Sequence, residues 1–228
     1  MLSFYSKSLL KPNCVHNNEQ TLIQHSMNLT EEGTLSIDAL KDVAKSLGRE
    51  IKVNEKRYKS NRPLRHRKFR DEVYISKNEK DPNVFVSVYD SYYTNIDVTV
   101  FSGMVTPLPF SRASSFFIRK RFIFDVFSGK KNFKTGNRSF DKQVFVQGND
   151  RTLMAKIIGD IKFQQLVLES FQLCPTMKVS LNHKQFSFVP VLEGESQFSF
   201  YDDQKWFLDK EQIQQLFKLL DRFQSVIR

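Results

Sequence analysis

Phenylalanine is distributed very unevenly along this 228-residue chain. Only Phe4 and Phe69 precede Val84, and the other 20 of the 22 phenylalanines lie from Phe85 onward. Each buried aromatic ring removes a large apolar surface from water, so a Phe-rich core is expected in the last two thirds of the chain. With 40% hydrophobic residues, the chain can form one large domain or one domain with an appendage.

Alternation of apolar and polar residues predicts short strands after residue 70. Val73 and Ile75 alternate with polar neighbours, and residues 81–83 (Asp-Pro-Asn) are typical of a turn. Short strands separated by turns favour antiparallel pairing. Two prolines predict a loop over residues 103–110. The pattern places strands at residues 73–75, 84–88, 96–100, 144–147, 178–181, 186–189 and 198–200, and around Trp206.

The N-terminal part is predicted to contain one helix. Residues 1–33 show no sustained period and are expected to be loop-like. Residues 36–47 have helical spacing of apolar side chains, with Ser36 available as the cap and Gly48 suited to the end.

Two further helices are predicted in the Phe-rich part. Residues 151–173 are expected to form a helix that breaks at Gly159, because Asp160 can cap a second helix. The last helix starts at Asp209, where Gln212 completes a capping box. One face of that helix is apolar and is interpreted as a core face, with a homodimer face as the alternative: Ile213, Leu216, Phe217, Leu220, Phe223 and Ile227.

These elements predict an α+β fold with an antiparallel (mixed) sheet, packed by the broken central helix and the amphipathic C-terminal helix. Residues 1–48 are expected to be an N-terminal appendage and residues 49–70 a basic connector. Residues 71–228 are expected to form the Phe-rich α+β domain. Residues 122–127 fit both a strand and a helical face, and periodicity alone leaves the two open.

A linear order of elements in the second half resembles a known family. Gly136-Asn137-Arg138-Ser139-Phe140-Asp141 fits a G-[ND]-x-x-F-D turn, followed by an alternating strand, Asn149-Asp150 and the break at Asp160. This order is similar to a bacterial domain of unknown function that occurs in soluble and membrane-attached proteins, and it covers roughly residues 100–228. The resemblance implies a mixed α+β fold, and it favours a short helix at residues 122–127. It implies no activity and no catalytic residue.

Basic residues are concentrated between Arg49 and Arg70, where the net charge is +8 out of +10 for the chain. Such density indicates an anionic partner, since like charges so close repel one another. A solvated loop that contributes only solubility is the alternative. A second, smaller basic cluster consists of Arg119, Lys120, Arg121, Lys130, Lys131 and Lys134. If the two clusters converge, a binding surface is expected; if they lie apart, the loop interpretation is favoured. The candidate binding residues are Arg49, Lys52, Lys56, Arg57, Lys59, Arg62, Arg65, Arg67, Lys68, Arg70, Arg119, Lys120, Arg121, Lys130 and Lys131.

No set of residues in the sequence predicts catalysis, a cofactor or a metal site. The two cysteines, Cys14 and Cys174, are far apart and are expected to be free thiols in a reducing compartment. Cys14 lies near His16 and His25, but without a zinc spacing. The carboxylates near the C-terminus are expected to be solvated on turns: Glu193, Glu195, Asp202 and Asp203.

The sequence therefore favours a non-enzymatic interaction module that engages an acidic protein surface or membrane headgroups through its basic segment. Nucleic-acid binding is the alternative, because Tyr58 and Phe69 interleave with the basic residues as in segments that stack on bases. An enzyme with an unrecognised site is the third hypothesis. A cytoplasmic bacterial protein is expected, with peripheral membrane attachment as an extension of the first hypothesis.

Overall fold

The computed structural model describes residues 29–59, 67–94, 97–126, 132–183, 188 and 196–227. By its internal contacts the chain divides into two units, Met1–Ser36 and Ile37–Arg228. The described part of the first unit is helical, and the second unit contains every strand described.

The first helix, α1, spans Leu29–Ser46, so it starts earlier than predicted. Ser36 lies inside α1 and not at its cap, and the loop predicted for residues 1–33 is wrong for residues 29–33. The early turns are mostly polar (Thr30, Glu31, Glu32), so they lack the apolar stripe by which a helix is recognised in sequence. The predicted end is confirmed, because Gly48 follows the helix with a left-handed φ of 62°.

Within the described ranges, eight strands and four further helices follow α1. The strands are β1 (Glu50–Arg57), β2 (Arg67–Ser76), β3 (Val84–Tyr92), β4 (Asp97–Leu108), β5 (Phe116–Lys120), β6 (Val144–Gly148), β7 (Lys178–Leu181) and β8 (Ser196–Asp202). The helices are α2 (Arg138–Gln143), α3 (Arg151–Ile158), α4 (Ile161–Leu173) and α5 (Lys210–Ile227), with a 3-10 turn at Ile123–Val126.

The eight strands form one sheet in the order β1-β2-β3-β4-β8-β7-β5-β6, and all neighbours pair antiparallel. The predicted α+β fold with an antiparallel sheet is therefore confirmed. One face of the sheet packs against the helices, where Phe163 and Phe223 contact rings from β5 and β8. The opposite face carries a smaller cluster that includes Val86, Phe101 and Tyr201.

Three local predictions are wrong. Residues 49–70 are not a simple connector, because they contain β1 and the start of β2. The loop predicted at residues 103–110 is a strand as far as Leu108. Pro107 fits there because β3 pairs with β4 only as far as Val105, so beyond it β4 bonds on one side to β8. Trp206 follows β8 in an irregular segment and not in a strand.

The remaining helix predictions are confirmed. The break falls between α3 and α4, and the Asp160 carboxylate accepts hydrogen bonds from the backbone N–H groups of Lys162 (2.6 Å) and Phe163 (3.2 Å). Asp209 caps α5 by accepting from Gln212 N (2.9 Å). The α5 stripe is buried in the chain's own core. A homodimer through α5 stays a prediction.

The turn that carries the family resemblance is fixed by hydrogen bonds within it and by one to α4, which Asn137 Nδ2 donates to Gln164 Oε1 (2.7 Å). Asn137 caps α2, and Gly136 takes a left-handed φ of 88°. The Asp141 carboxylate accepts hydrogen bonds from Thr135 N (3.0 Å), Thr135 Oγ1 (3.1 Å) and Gly136 N (3.3 Å). These residues therefore have a local structural role. The short helix favoured for residues 122–127 corresponds to the 3-10 turn as far as Val126.

Candidate functional site: the basic hairpin

Strands β1 and β2, together called the basic hairpin, place the basic segment at one edge of the sheet. They pair in an unbroken register from Glu50 opposite Ser76 to Arg57 opposite Phe69. Side chains alternate between the two faces, so Ile51 and Val53 join the core on the helical side. Lys52, Asn54 and Lys56 therefore point to the opposite face.

Two arginines of β2 share one buried carboxylate. Arg70 lies directly opposite Asp90 of β3. Its Nε and Nη2 donate to Asp90 Oδ1 (2.6 Å) and Oδ2 (2.7 Å). Arg67 Nε lies 3.0 Å from Asp90 Oδ2. The Asp90 side chain is 1% exposed and that of Arg70 is 11% exposed, so the two residues form a largely buried, bidentate ion pair.

Two acidic residues of β2 neutralise the outer basic residues of β1. Lys56 Nζ lies 2.6 Å from Glu72 Oε1, and Arg57 Nη1 lies 2.6 Å from Asp71 Oδ1. Both carboxylates are buried. Burial raises the pKa of Asp71, and its hydrogen bond with Arg57 acts in the opposite direction. The Tyr74 hydroxyl lies 3.0 Å from Glu72 Oε2, and burial followed by the Glu72 charge raises the tyrosine pKa, so the phenol stays protonated.

Arg49 is also engaged within the fold. Its guanidinium lies over the ring of Phe217 in α5, 3.5 Å from the ring centroid, and 3.9 Å from Asp81 Oδ2. Burial lowers the pKa of Arg49, and Asp81 and Asp221 act against that shift. Arg49 therefore packs the start of β1 against α5.

Most of the described basic side chains in residues 49–70 thus have internal partners. Apart from Glu55, their carboxylate partners lie outside residues 49–70, so the charge counted within that segment does not show the compensation. Three exposed lysines have no ion pair among the residues described: Lys52, Lys59 and Lys68. Arg62 and Arg65 lie outside the described residues.

The outer edge of β1 has no strand beside it among the described residues. Tyr58 N donates to Lys68 O (3.0 Å). Because an antiparallel ladder alternates, the N–H groups of Asn54 and Lys56 also point toward β2. The N–H groups of Glu55 and Arg57 then point outward, as the donors of an open edge.

A groove of about 800 Å³ runs beside this edge, on the face opposite the helices. Lys52, Asn54, Tyr74 and Phe188 line it, together with three acidic residues: Glu50, Glu79 and Asp81. Tyr74 is held in place by the Phe188 carbonyl, to which its hydroxyl donates at 2.7 Å. The groove therefore combines an apolar wall with polar side chains next to unpaired backbone groups.

The second basic cluster lies far from the first across the sheet. Four strands separate β2 from β5, which corresponds to about 24 Å at the usual strand spacing. Arg119 is paired with Asp125 through two hydrogen bonds (2.6 and 2.7 Å), and Arg121 Nη1 lies 3.4 Å from the Asp141 carbonyl. Lys120 is exposed. Lys130 and Lys131 lie outside the described residues. Among the described residues the two clusters do not form one surface, yet the described part of the first cluster lies mainly in strands and not in the solvated loop that such a separation favoured.

The two described carboxylates near the C-terminus, those of Asp202 and Asp203, have partners within the fold. Asp202, expected to be solvated, is fully buried, and its carboxylate accepts hydrogen bonds from Cys174 Sγ (2.8 Å), Thr176 Oγ1 and Lys205 N (3.0 Å). Asp203 pairs with Lys178.

Cys14, His16, His25, Glu193 and Glu195 lie outside the described residues. Within the described ranges, no group of three or more His, Cys, Asp or Glu is arranged to hold a metal ion, and no helix is long and apolar enough to cross a membrane.

The buried thiol of Cys174 leads to a prediction about reactivity. Burial and the hydrogen bond to Asp202 raise its pKa, so at a given pH less thiolate is present than in the unfolded chain. In a Cys14→Ser background at about pH 8, we expect iodoacetamide to modify Cys174 at least tenfold more slowly in the folded protein than in urea, and faster as the pH rises. Mass spectrometry of timed samples measures the rate. Equal rates in the two states would contradict this burial.

Comparison with protein-family models, with curated proteins and with solved structures finds no match to this chain. The resemblance to the bacterial domain of unknown function stays a prediction.

Proposed function

We propose that this protein is a non-enzymatic interaction module, and that the edge strand β1 binds an extended, acidic segment of another protein. The observation that carries the proposal is the open edge of β1, with exposed lysines on β1 (Lys52), just beyond its end (Lys59) and on the neighbouring strand (Lys68). Addition of a strand to an open sheet edge is an established mode of peptide recognition, in which backbone hydrogen bonds supply affinity.

The chemistry of the edge favours a polypeptide. An open strand presents N–H donors and C=O acceptors in alternation, and another backbone in extended conformation satisfies both. The phosphodiester groups of nucleic acids accept hydrogen bonds and donate none at neutral pH, so they leave the row of carbonyls unpaired. Alternate side chains of an added strand would face the groove lined by Tyr74 and Phe188, which supports selection of apolar residues at those positions.

The charge of the partner follows from the lysines. Lys56 and Arg57 already have carboxylate partners, whereas Lys52, Lys59 and Lys68 are exposed without one among the described residues. These lysines favour an acidic segment and disfavour a basic one. Pairs of this exposed kind contribute little each, about 0.2–1 kcal/mol, so they select the partner more than they hold it.

Nucleic-acid binding remains the second candidate, on one specific observation. Tyr58 and Tyr93 are each 37% exposed at the same end of the hairpin, where the Tyr93 hydroxyl donates to Tyr58 O (3.0 Å). Phe69, which the sequence suggested as a stacking residue, is buried at 4% exposure and cannot stack on a base. Two results would favour this candidate over the peptide: binding to single-stranded DNA or RNA that weakens steeply with rising salt, and loss of that binding in Tyr58→Ala.

We expect Glu55→Pro to weaken binding of an acidic peptide about tenfold relative to Glu55→Ala. Both changes remove the ion pair between Glu55 and Arg57, which lies at 2.8 Å. The proline alone removes an outward-pointing N–H group, without removing a bond of the β1–β2 ladder. Fluorescence anisotropy with a labelled peptide of about ten alternating Glu and Val residues measures the affinity.

A peptide of the same length with alternating Lys and Val is the matched control for charge, and we expect it to bind at least tenfold more weakly. Circular dichroism of both Glu55 variants establishes that β1 remains folded. Equal affinity of the two variants would contradict strand addition at this edge. Equal affinity of the two peptides would contradict the choice of an acidic partner.

A non-enzymatic role and a cytoplasmic location belong to this proposal. They rest on the sequence, which contains no catalytic arrangement and only two widely separated cysteines.

A further inference from the structure

Three large apolar side chains project together into solvent at the end of β5. Phe122 is 54% exposed, and Ile123 and Phe124 are each 80% exposed. They are consecutive, and the 3-10 turn at Ile123–Val126 carries two of them. Exposed apolar residues scattered singly are ordinary on protein surfaces, but a contiguous group of this size marks an interaction site.

The conformation of this apolar tip, Phe122–Phe124, is fixed by polar contacts at its base. The Asp125 carboxylate accepts hydrogen bonds from Phe122 N (2.7 Å) and from Nη1 (2.7 Å) and Nη2 (2.6 Å) of Arg119. The Arg119 guanidinium also lies over the rings of Phe122 (4.9 Å) and Phe145 (4.4 Å). These local contacts therefore hold the three apolar side chains at the protein surface.

The charge around the tip is positive. Arg119 neutralises Asp125, which is the acidic residue of the turn. Lys120 and Arg121 directly precede Phe122. Lys142 lies in α2, and at the end of that helix the Gln143 carbonyl accepts a hydrogen bond from Arg121 N (2.8 Å). A protruding apolar group with cations at its base matches the interface of an anionic bilayer, where rings enter the acyl boundary and lysines meet the headgroups.

We propose that the apolar tip inserts into the surface of an anionic lipid bilayer, with Lys120, Arg121 and Lys142 at the headgroups. One turn reaches a few ångströms beyond its base, which suits the roughly 5–10 Å depth of interfacial insertion and is far too short to span a membrane. The surface is distinct from the edge of β1 and independent of peptide binding there. Peptide docking at one end of the sheet and membrane attachment at the other are compatible.

The test is sedimentation of the full chain with phosphatidylcholine vesicles, with and without phosphatidylserine. We expect the wild-type protein to bind the anionic vesicles at least tenfold more tightly than the neutral ones. The double variant Ile123→Ser, Phe124→Ser is expected to lose at least tenfold in partitioning to anionic vesicles. Both side chains are 80% exposed, so the variant is expected to fold normally, and circular dichroism establishes that it does.

Ile161→Ser is the matched control, because Ile161 is also a well-exposed apolar residue, 65% exposed, but lies in a different element, at the start of α4. We expect it to bind as the wild type does. The proposal is overturned if the wild type does not bind anionic vesicles, or if the double variant binds them as well as the wild type does. It is also overturned if Lys59→Glu, Lys68→Glu abolishes vesicle binding while the double variant does not, because the hairpin would then be the lipid-binding surface.

Discussion

Replacing Asp90 with alanine is expected to destabilise the protein by about 3–5 kcal/mol. The carboxylate is 1% exposed and lies between two guanidiniums, those of Arg67 and Arg70. Its removal leaves a buried Arg70 without the carboxylate that its Nε and Nη2 bond in the native protein. The cost comes mainly from that uncompensated charge, and less from the lost attraction.

Urea unfolding followed by circular dichroism measures the change. Asp38→Ala is the matched control, because Asp38 also pairs with a cation, Lys41 at 2.9 Å, but both side chains are more than half exposed. We expect the control to cost at most about 0.5 kcal/mol. A loss for Asp90→Ala as small as that of the control would show that the buried pair does not hold β2 and β3 together.

Replacing Gly103 with alanine is expected to destabilise the protein by about 3 kcal/mol or more. Gly103 in β4 pairs with Tyr201 in β8, at the centre of the sheet. An added Cβ would lie 2.5 Å from Tyr201 Cα and closer still to the carbonyl oxygen of Phe200. Both are backbone atoms, so the strands must separate, and the stack of Tyr201 on Phe101 (4.5 Å between centroids) would be disturbed.

Gly136→Ala separates steric overlap from backbone strain. Gly136 has a φ of 88° and no atom within 4 Å of an added Cβ, so its replacement costs only the left-handed conformation, about 1–2 kcal/mol. Thermal unfolding of the two variants compares the effects. If Gly103→Ala were the milder change, the close approach of β4 and β8 would be wrong.

Much of the fold could be predicted because its signals are local. Asp160 and Asp209 cap helices through atoms two or three residues away, and the α5 stripe repeats within one element. Pro107 led to a wrong prediction because its local signal, which indicates a loop, says nothing about the neighbouring strands. Whether a proline fits a strand depends on where the neighbouring strand ends, and β3 contributes no partner beyond Val105 of β4.

The candidate site could be predicted only in part, because the charges are compensated across strands. The basic segment was visible in sequence, but Arg70 meets Asp90 only when β2 and β3 adopt their register. The available signal for such a partner was Asp90, an acid that directly follows the mainly apolar run from Val84 to Tyr89. The apolar tip was missed because Phe122–Phe124 resembles a core segment, and periodicity carries no information on which side faces water.

Backbone hydrogen exchange along β1 tests the central claim most directly, namely that an acidic segment adds as a strand to this edge. In the free protein, the amides of Asn54 and Lys56 should exchange slowly, and those of Glu55 and Arg57 quickly. Saturation with the alternating Glu/Val peptide should slow exchange at Glu55 and Arg57 by at least tenfold, and leave Asn54 and Lys56 unchanged. If the peptide binds and the Glu55 and Arg57 amides still exchange at their free rates, strand addition at β1 is contradicted.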